Sequence, residues 1–343
     1  MKCIKNKKLY TAIPVLSSLF ILASCTASDI ELPYGSMEND QSFTLNPVDE
    51  YDTLPLFAED IAAVSDNLIT ASLSEEDAVF SAAVYNEDDA EVLYSLNATE
   101  RTSPASLTKL MTALIIFEKF GDRLDDSVTI GEVSIKEEGV QRFGLKAGDK
   151  LTIRQLLEIT LIQSGNDAAL ALAQYAGDST AGSRLEEDGE ITGEERFVQM
   201  MNEKAASLGC TGTHYVNPHG LDAAEHYSTA YDQYLIFRQL LAYPEFLEII
   251  NTPSVQISYN TADGTVKTKT IMNTDMFVNG GKDVPEGVTV IGGKTGSTAT
   301  AGKCLILLAN DMSGRSYIAV VMGAKDEGTL YNTLSELLKI ADS

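Results

Sequence analysis

The chain has 343 residues, 44% of them hydrophobic and 22% charged, with 50 acidic against 25 basic side chains and a net charge of −25. That length suits one large domain or two small ones, and the composition is that of a folded chain rather than a disordered one. A surface this acidic repels phosphate backbones, which argues against nucleic acid as a partner.

The first eight residues, MKCIKNKK, form a basic stretch, and the apolar run LYTAIPVLSSLFILAS behind them is short for a membrane span. Leu22-Ala23-Ser24-Cys25 resembles the bacterial lipobox, in which the cysteine is lipidated and becomes the first residue. Residues 1–25 are therefore expected to be a lipoprotein signal peptide ending at Cys25, whose acyl chains would hold the protein at a membrane surface. Residues 26–72 are acidic and polar with scattered prolines (Pro33, Pro47, Pro55) and are expected to be a flexible tether. The packed domain is expected over residues 73–343.

Within it, VFSAAVY and EVLYSL flank the turn NEDDAE and predict a β-hairpin. Leu107, Leu110, Met111, Leu114 and Ile115 recur at helical spacing and predict a helix from about Ala105 to Phe120. LTIRQLLEITLIQ and AALALAQYA are amphipathic runs broken at Ser164-Gly165-Asn166, and ERFVQMMNEKAASLG is a further helix closed by Gly209. The acidic segment from Gly177 to Gly193 reads as a solvated insertion between helices. STAYDQYLIFRQLLAY opens on good capping residues and predicts another helix. SVQISYN, GVTVIGGK, KCLILLAND and SYIAVVMGA then predict strands, and LYNTLSELLKI a closing helix. Strands at both ends with helices between them imply an α+β fold, one antiparallel sheet built from both ends of the domain around an inserted helical subdomain.

Several chemistries are disfavoured. Gly292 to Gly296 reads GGKTG, but a phosphate-binding loop needs glycine where Val288 stands. His214, His219 and His226 lie close in sequence without the spacing of a metal motif, and Asn217-Pro218-His219-Gly220 reads as a structural turn. No G-x-S-x-G elbow is present for a Ser-His-Asp triad. Cys210 and Cys304 are far apart in sequence and are expected to be unpaired, buried thiols.

Three short motifs remain. Ser106 and Lys109 stand three apart on the predicted helix, where they can touch. Ser164-Gly165-Asn166 puts a hydroxyl and an amide at a helix break, and Lys294-Thr295-Gly296 puts a cation, a hydroxyl and a bare backbone on a strand. Each is weak alone. The ordered set S-x-x-K, S-x-N, K-T-G resembles the serine penicillin-interacting enzymes. Within them SPASLTKLMTALIIFE, QSGNDAALALA, NPHGLD, YSTAYD and GGKTGSTATAG resemble the low-molecular-mass D-alanyl-D-alanine carboxypeptidases, over about Asp77 to Ile340.

That resemblance implies a β-lactamase/transpeptidase-like fold and an acyl-enzyme on Ser106, with Lys109 as base and Ser164 as a proton relay bridging Lys109 and Lys294. It implies an oxyanion site from the amides of Ser106 and Ser297. Asn166 would bind the substrate's amide side, and Lys294, Thr295 and Gly296 would line the carboxylate end. Relatives often carry an arginine after the strand equivalent to SYIAVVMG; here the comparable place holds Lys325, a point charge rather than a bidentate fork. No cofactor or metal is implied. The partners would be peptidoglycan stem peptides, β-lactams as acylating inhibitors, and a membrane reached through Cys25. Export to the outer face of the cytoplasmic membrane, or secretion, follows from the leader. The C-terminal β-domain and membrane helix of some relatives are expected to be missing. The alternatives are a D,D-endopeptidase acting on crosslinks, a β-lactamase (disfavoured because no E-x-x-L-N follows Asn166), and a non-catalytic wall lipoprotein.

Overall fold

Strands β1 (Ser81–Asn86) and β2 (Glu91–Leu96) form the expected hairpin. They belong to a computed structural model that describes residues 61–343, save 65, 72, 74–77, 136, 181–190 and 343. The signal sequence, Cys25 and most of the tether lie outside the described residues. The packed body begins earlier than residue 73. Ala62 is fully buried, its N–H donates to the Tyr234 hydroxyl (3.3 Å), and Leu68 bridges to Ser95. Ile61, Ala62 and Val64 supply the apolar surface that a solvated tether would lack.

After the hairpin, a 3₁₀ turn (Ala105–Leu107) leads into α1 (Thr108–Phe120), which is buried from Thr108 through Phe117. A helix buried on every face runs through the centre of a fold, and here it carries Thr108, Lys109 and Thr112 inward with its apolar residues. It packs against α2 (Ile153–Leu161), α3 (Asn166–Ser179), α4 (Gly193–Ser207) and α5 (Ala230–Leu240). Thr152 and Thr192 start α2 and α4 with reciprocal capping boxes, and Thr229 caps α5 by accepting from the Asp232 amide. Gly177 and Gly193, the ends of the acidic insertion, lie against each other: a Cβ on Gly177 would sit 1.8 Å from the Gly193 carbonyl oxygen.

A second sheet and a further helix were not legible in the sequence. Strands β3 (Ser127–Thr129), β4 (Lys150–Thr152), β5 (Ser254–Asn260) and β6 (Val266–Met272) pair in that order, and α6 (Pro244–Asn251) precedes β5. After the short α7 (Met276–Asn279) come β7 (Val288–Thr298), β8 (Gly302–Asp311), β9 (Ser316–Ala324) and α8 (Glu327–Leu338).

The main sheet has the order β2-β1-β9-β8-β7, antiparallel throughout, so both ends of the domain build it as expected. Alternation along the strands feeds two cores. Ile306, Leu308, Ile318 and Val320 face the helical subdomain, while Leu305, Leu307, Ala319 and Val321 face α8. Cys210 and Cys304 are both buried and free.

Candidate active site

Ser106 sits in the 3₁₀ turn that precedes α1, one residue after Ala105, whose φ of +46° is unusual for a residue with a side chain. That strained turn is held from several sides. The Thr108 hydroxyl donates to the Ala105 carbonyl (2.8 Å), so toward His226 Nε2 (2.8 Å) it must accept. His226 Nδ1 meanwhile accepts from the Val216 amide (3.1 Å), which leaves the proton on Nε2. Burial first, then His214, lowers the His226 pKa to about 4, consistent with a neutral ring. Of the other histidines, His214 pairs its backbone with Tyr227, and His219 lies in the Asn217–Leu221 turn. None of these contacts calls for a metal.

The turn NPHG has a direct role. Asn217 Oδ1 accepts from the Gly220 amide (2.7 Å), and the His219 carbonyl accepts from Lys109 Nζ (2.6 Å). Lys109 has no exposed surface, and its nitrogen also lies 2.8 Å from Ser106 Oγ and 2.7 Å from Asn166 Oδ1. Burial, then the like charge of Lys294, push its pKa well below that of a free lysine, with Asp167 opposing. A neutral amine has two N–H bonds and one lone pair. The two carbonyl oxygens can only accept, so they take both N–H bonds. The lone pair is left to the Ser106 hydroxyl, which is the arrangement of a nucleophile and its base.

Asn166 opens α3, and Asp167 beside it accepts from the amides of Phe143 (2.9 Å), Gly144 (2.7 Å) and Leu145 (3.0 Å). This fixes the loop that carries Gln141, whose carbonyl accepts from the Asn166 amide (3.0 Å). With Oδ1 committed to Lys109, the Asn166 amino group is what remains to offer a ligand. Ser164 is 5% exposed, has φ +63°, and lines the same cleft as Ser106. The expected bridge is not made here: among the described residues no hydrogen bond joins Ser164 to Lys109 or Lys294. Lys109 has its three partners, and Lys294 Nζ donates to the Thr295 carbonyl (2.8 Å).

Strand β7 brings Lys294, Thr295, Gly296 and Ser297 alongside the nucleophile turn. A Cβ on Gly296 would come 3.1 Å from Ala105 Cβ and 3.2 Å from Ser106 N, so the bare backbone permits the close approach. Lys294 is fully buried on the helical side, and burial lowers its pKa to about 7 with Asp275 opposing. Thr295 faces the other way and donates to Thr274 Oγ1 (2.6 Å). Asp222, from NPHGLD, ties the two halves together. It accepts from Ser103 Oγ (3.0 Å) before the nucleophile, and from Thr298 Oγ1 (2.7 Å) and Thr300 N (3.3 Å) at the end of β7.

Two clefts meet at Ser106. One of about 350 Å³ runs over Thr295, Thr274 and Tyr331. The other, about 710 Å³, runs past Asn166, Leu221 and Asp222. Lys325 lines neither. It is exposed in the link between β9 and Asp326, which caps α8 by accepting from the Thr329 amide (2.8 Å).

The family profile described as D-alanyl-D-alanine carboxypeptidase (Peptidase_S11) matches residues 69–326. The chain belongs to that family. It is 33% identical over 290 residues to D-alanyl-D-alanine carboxypeptidase DacF of Bacillus subtilis (strain 168), covering 84% of this chain and 67% of that protein. To DacD of Escherichia coli (strain K12) it is 34% identical over 246 residues, covering 68% of this chain but only 55% of the relative. The fold is similar to the Streptomyces K15 DD-transpeptidase (TM-score 0.67, 27% identity, 77% of this chain and 96% of that one). It is also similar to penicillin-binding protein D2 of Listeria monocytogenes in its cefotaxime-bound form (TM-score 0.61, 26% identity, 79% and 98%).

Within this carboxypeptidase framework, three groups escaped sequence reasoning. The His219 carbonyl is a backbone atom, for which only the N-P-H-G turn was a signal. Thr274 lies in a loop between β6 and α7 with no motif of its own. Asp222 stands within NPHGLD, but its partners are 119 and 76 residues away.

Proposed function

We propose that this protein is a serine D-Ala-D-Ala carboxypeptidase that removes the terminal D-alanine of peptidoglycan stem peptides. The observation that carries this reading is the position of Lys109 Nζ, 2.8 Å from Ser106 Oγ with Asn166 Oδ1 and the His219 carbonyl as its other partners, so that in the neutral amine the lone pair is left to Ser106. Ser106 Oγ attacks the carbonyl carbon between the two D-alanines, and its proton passes to Lys109 Nζ. The N–H groups of Ser106 and Ser297 stabilise the oxyanion. As the C–N bond breaks, the leaving D-alanine nitrogen gains a proton through Ser164, and water then hydrolyses the acyl-enzyme. The Asn166 amino group binds the substrate's amide carbonyl, and Thr295, with Lys294 behind it, serves the terminal carboxylate.

Mixing the purified protein with excess benzylpenicillin tests the acyl-enzyme by intact mass. A stable adduct mapped to Ser106, together with D-alanine release from a stem pentapeptide, is expected. Penicillin consumed without an adduct would make the protein a β-lactamase. Neither adduct nor turnover would leave a non-catalytic wall protein, and preference for a crosslinked dimer would make it an endopeptidase.

The anchor in this reading is lipid on Cys25 after export, as the lipobox resemblance implies. Among the described residues no helix is long and apolar enough to cross a membrane. Cells fed radiolabelled fatty acid should label the wild type and spare Cys25→Ala. No label on the wild type, or equal label on the variant, sinks the anchor.

A further inference from the structure

A D-alanine leaving group ends in a carboxylate, and the cleft should hold a cation to receive it. The family resemblance would give this task to Lys325, which lines neither cleft at Ser106. Lys294 is fully buried behind the strand, its ammonium bonded to the Thr295 carbonyl. Among the described residues that line the two clefts, the single cation is Lys303, and it lines both.

The sheet register explains its position. In the β7–β8 pair, Ser297 lies opposite Lys303 and Thr295 opposite Leu305. Directly opposed residues share a face, as do residues two apart on one strand. Thr295, Ser297 and Lys303 therefore stand on one face of the sheet, the one turned toward α8, while Lys294 stands on the other. The hairpin carrying Lys303 is anchored at its tip by the Asp222 carboxylate, through Thr298 and Thr300. Lys303 is half-buried, and its side chain makes no hydrogen bond or ion pair among the described residues. Among the described lining residues of the smaller cleft the one carboxylate is Glu327, which makes no ion pair with Lys303. A carboxylate entering that cleft meets one negative side chain and needs a compensating positive one.

We propose that Lys303, not Lys325, binds the terminal carboxylate of the substrate, together with the Thr295 hydroxyl, whose proton turns from Thr274 Oγ1 to the carboxylate. The proposal rests on the carboxypeptidase reading above and names the group that makes this chain select a free C-terminus. Because lysine is a point charge on a flexible stem, it attracts a carboxylate without enforcing a two-pronged geometry.

The test compares an N-acetylated tripeptide ending in D-Ala-D-Ala with the same peptide as its C-terminal amide, by kcat/KM. The wild type should prefer the free acid. In Lys303→Gln and Lys303→Met that preference should fall by roughly 10- to 100-fold, the range for a lost hydrogen bond between charged groups, with the loss concentrated on the acid. Lys303→Arg should restore most of it. Methionine keeps the packing of the lysine stem, so its turnover of the amide separates lost charge from lost folding. An unchanged acid-to-amide ratio in both neutral variants overturns the proposal, as does a ratio that collapses in Lys325→Gln instead. A wild type that hydrolyses neither peptide and forms no penicillin adduct overturns the carboxypeptidase reading itself.

Discussion

Replacing Lys109 with methionine is expected to slow benzylpenicillin acylation and D-alanine release together, by about 10²- to 10⁴-fold, the range for a positioned general base. Methionine fills most of the same space, so the packing of α1 around position 109 should hold. Lys109→Arg is the discriminating variant. A guanidinium stays protonated at any working pH and cannot take the Ser106 proton. If position 109 needed only a cation, arginine would restore activity; if it needs a base, arginine stays dead.

The pH dependence follows with a definite sign. Burial and Lys294 hold Lys109 well below an ordinary lysine, so kcat/KM should rise with pH as Lys109 loses its proton. That limb should be missing from the residual activity of the methionine variant. For stability, Lys294 releases its proton near 7 in the folded protein against 10.5 when free. Over that window the unfolded chain binds more protons, so this residue's cost to folding is full below pH 7 and fades as pH rises toward 10.5. An acidic limb that persists without Lys109, or an active arginine variant, would refute the base assignment.

Gly220→Ala should damage both stability and acylation, although residue 220 need not touch the substrate. Gly220 has φ +85°, and an added Cβ would lie 1.8 Å from the Ala105 carbonyl oxygen and 2.8 Å from Thr108 Oγ1. The left-handed backbone alone costs an alanine about 1–2 kcal/mol. Pushing the nucleophile turn away adds about 1–3 kcal/mol of overpacking. It also shifts Ser106 from Lys109, which is itself bonded to the neighbouring His219 carbonyl. Gly264→Ala is the matched control, with φ +81° and no atom within 4 Å of the added carbon. Thermal melts and penicillin acylation rates of the two variants separate conformational strain from collision. If Gly220→Ala proves as mild as Gly264→Ala, the turn does not brace the nucleophile.

Local spacing explains why some of the site could be read directly. Ser106 and Lys109 are one helical turn apart, and Lys294 and Thr295 are consecutive residues of one strand. Gly165, between Ser164 and Asn166, caps α3, so the break in helical periodicity was real. The relay expected of Ser164 was less accessible, because it depends on where two lysine nitrogens point. Both turn to carbonyl or amide oxygens in this structure. β6 escaped notice since VKTKTIM is exposed along nearly its whole length and shows no inward face. α6 was hidden by its eight residues and its start at Pro244, which punctuates a chain as readily as it opens a helix.

By itself, then, the sequence determined the α+β alternation, the hairpin, the long buried α1 and the three motifs, because periodicity and spacing act over a few residues. Only the tertiary structure decided that the His219 carbonyl, 110 residues beyond Lys109, completes the lysine's bonding. It also decided that Asp222 ties the nucleophile turn to β7, and that Lys303 rather than Lys325 reaches the cleft. Such contacts depend on how distant segments pack, and a backbone carbonyl or an opposed strand position leaves no mark in residue type.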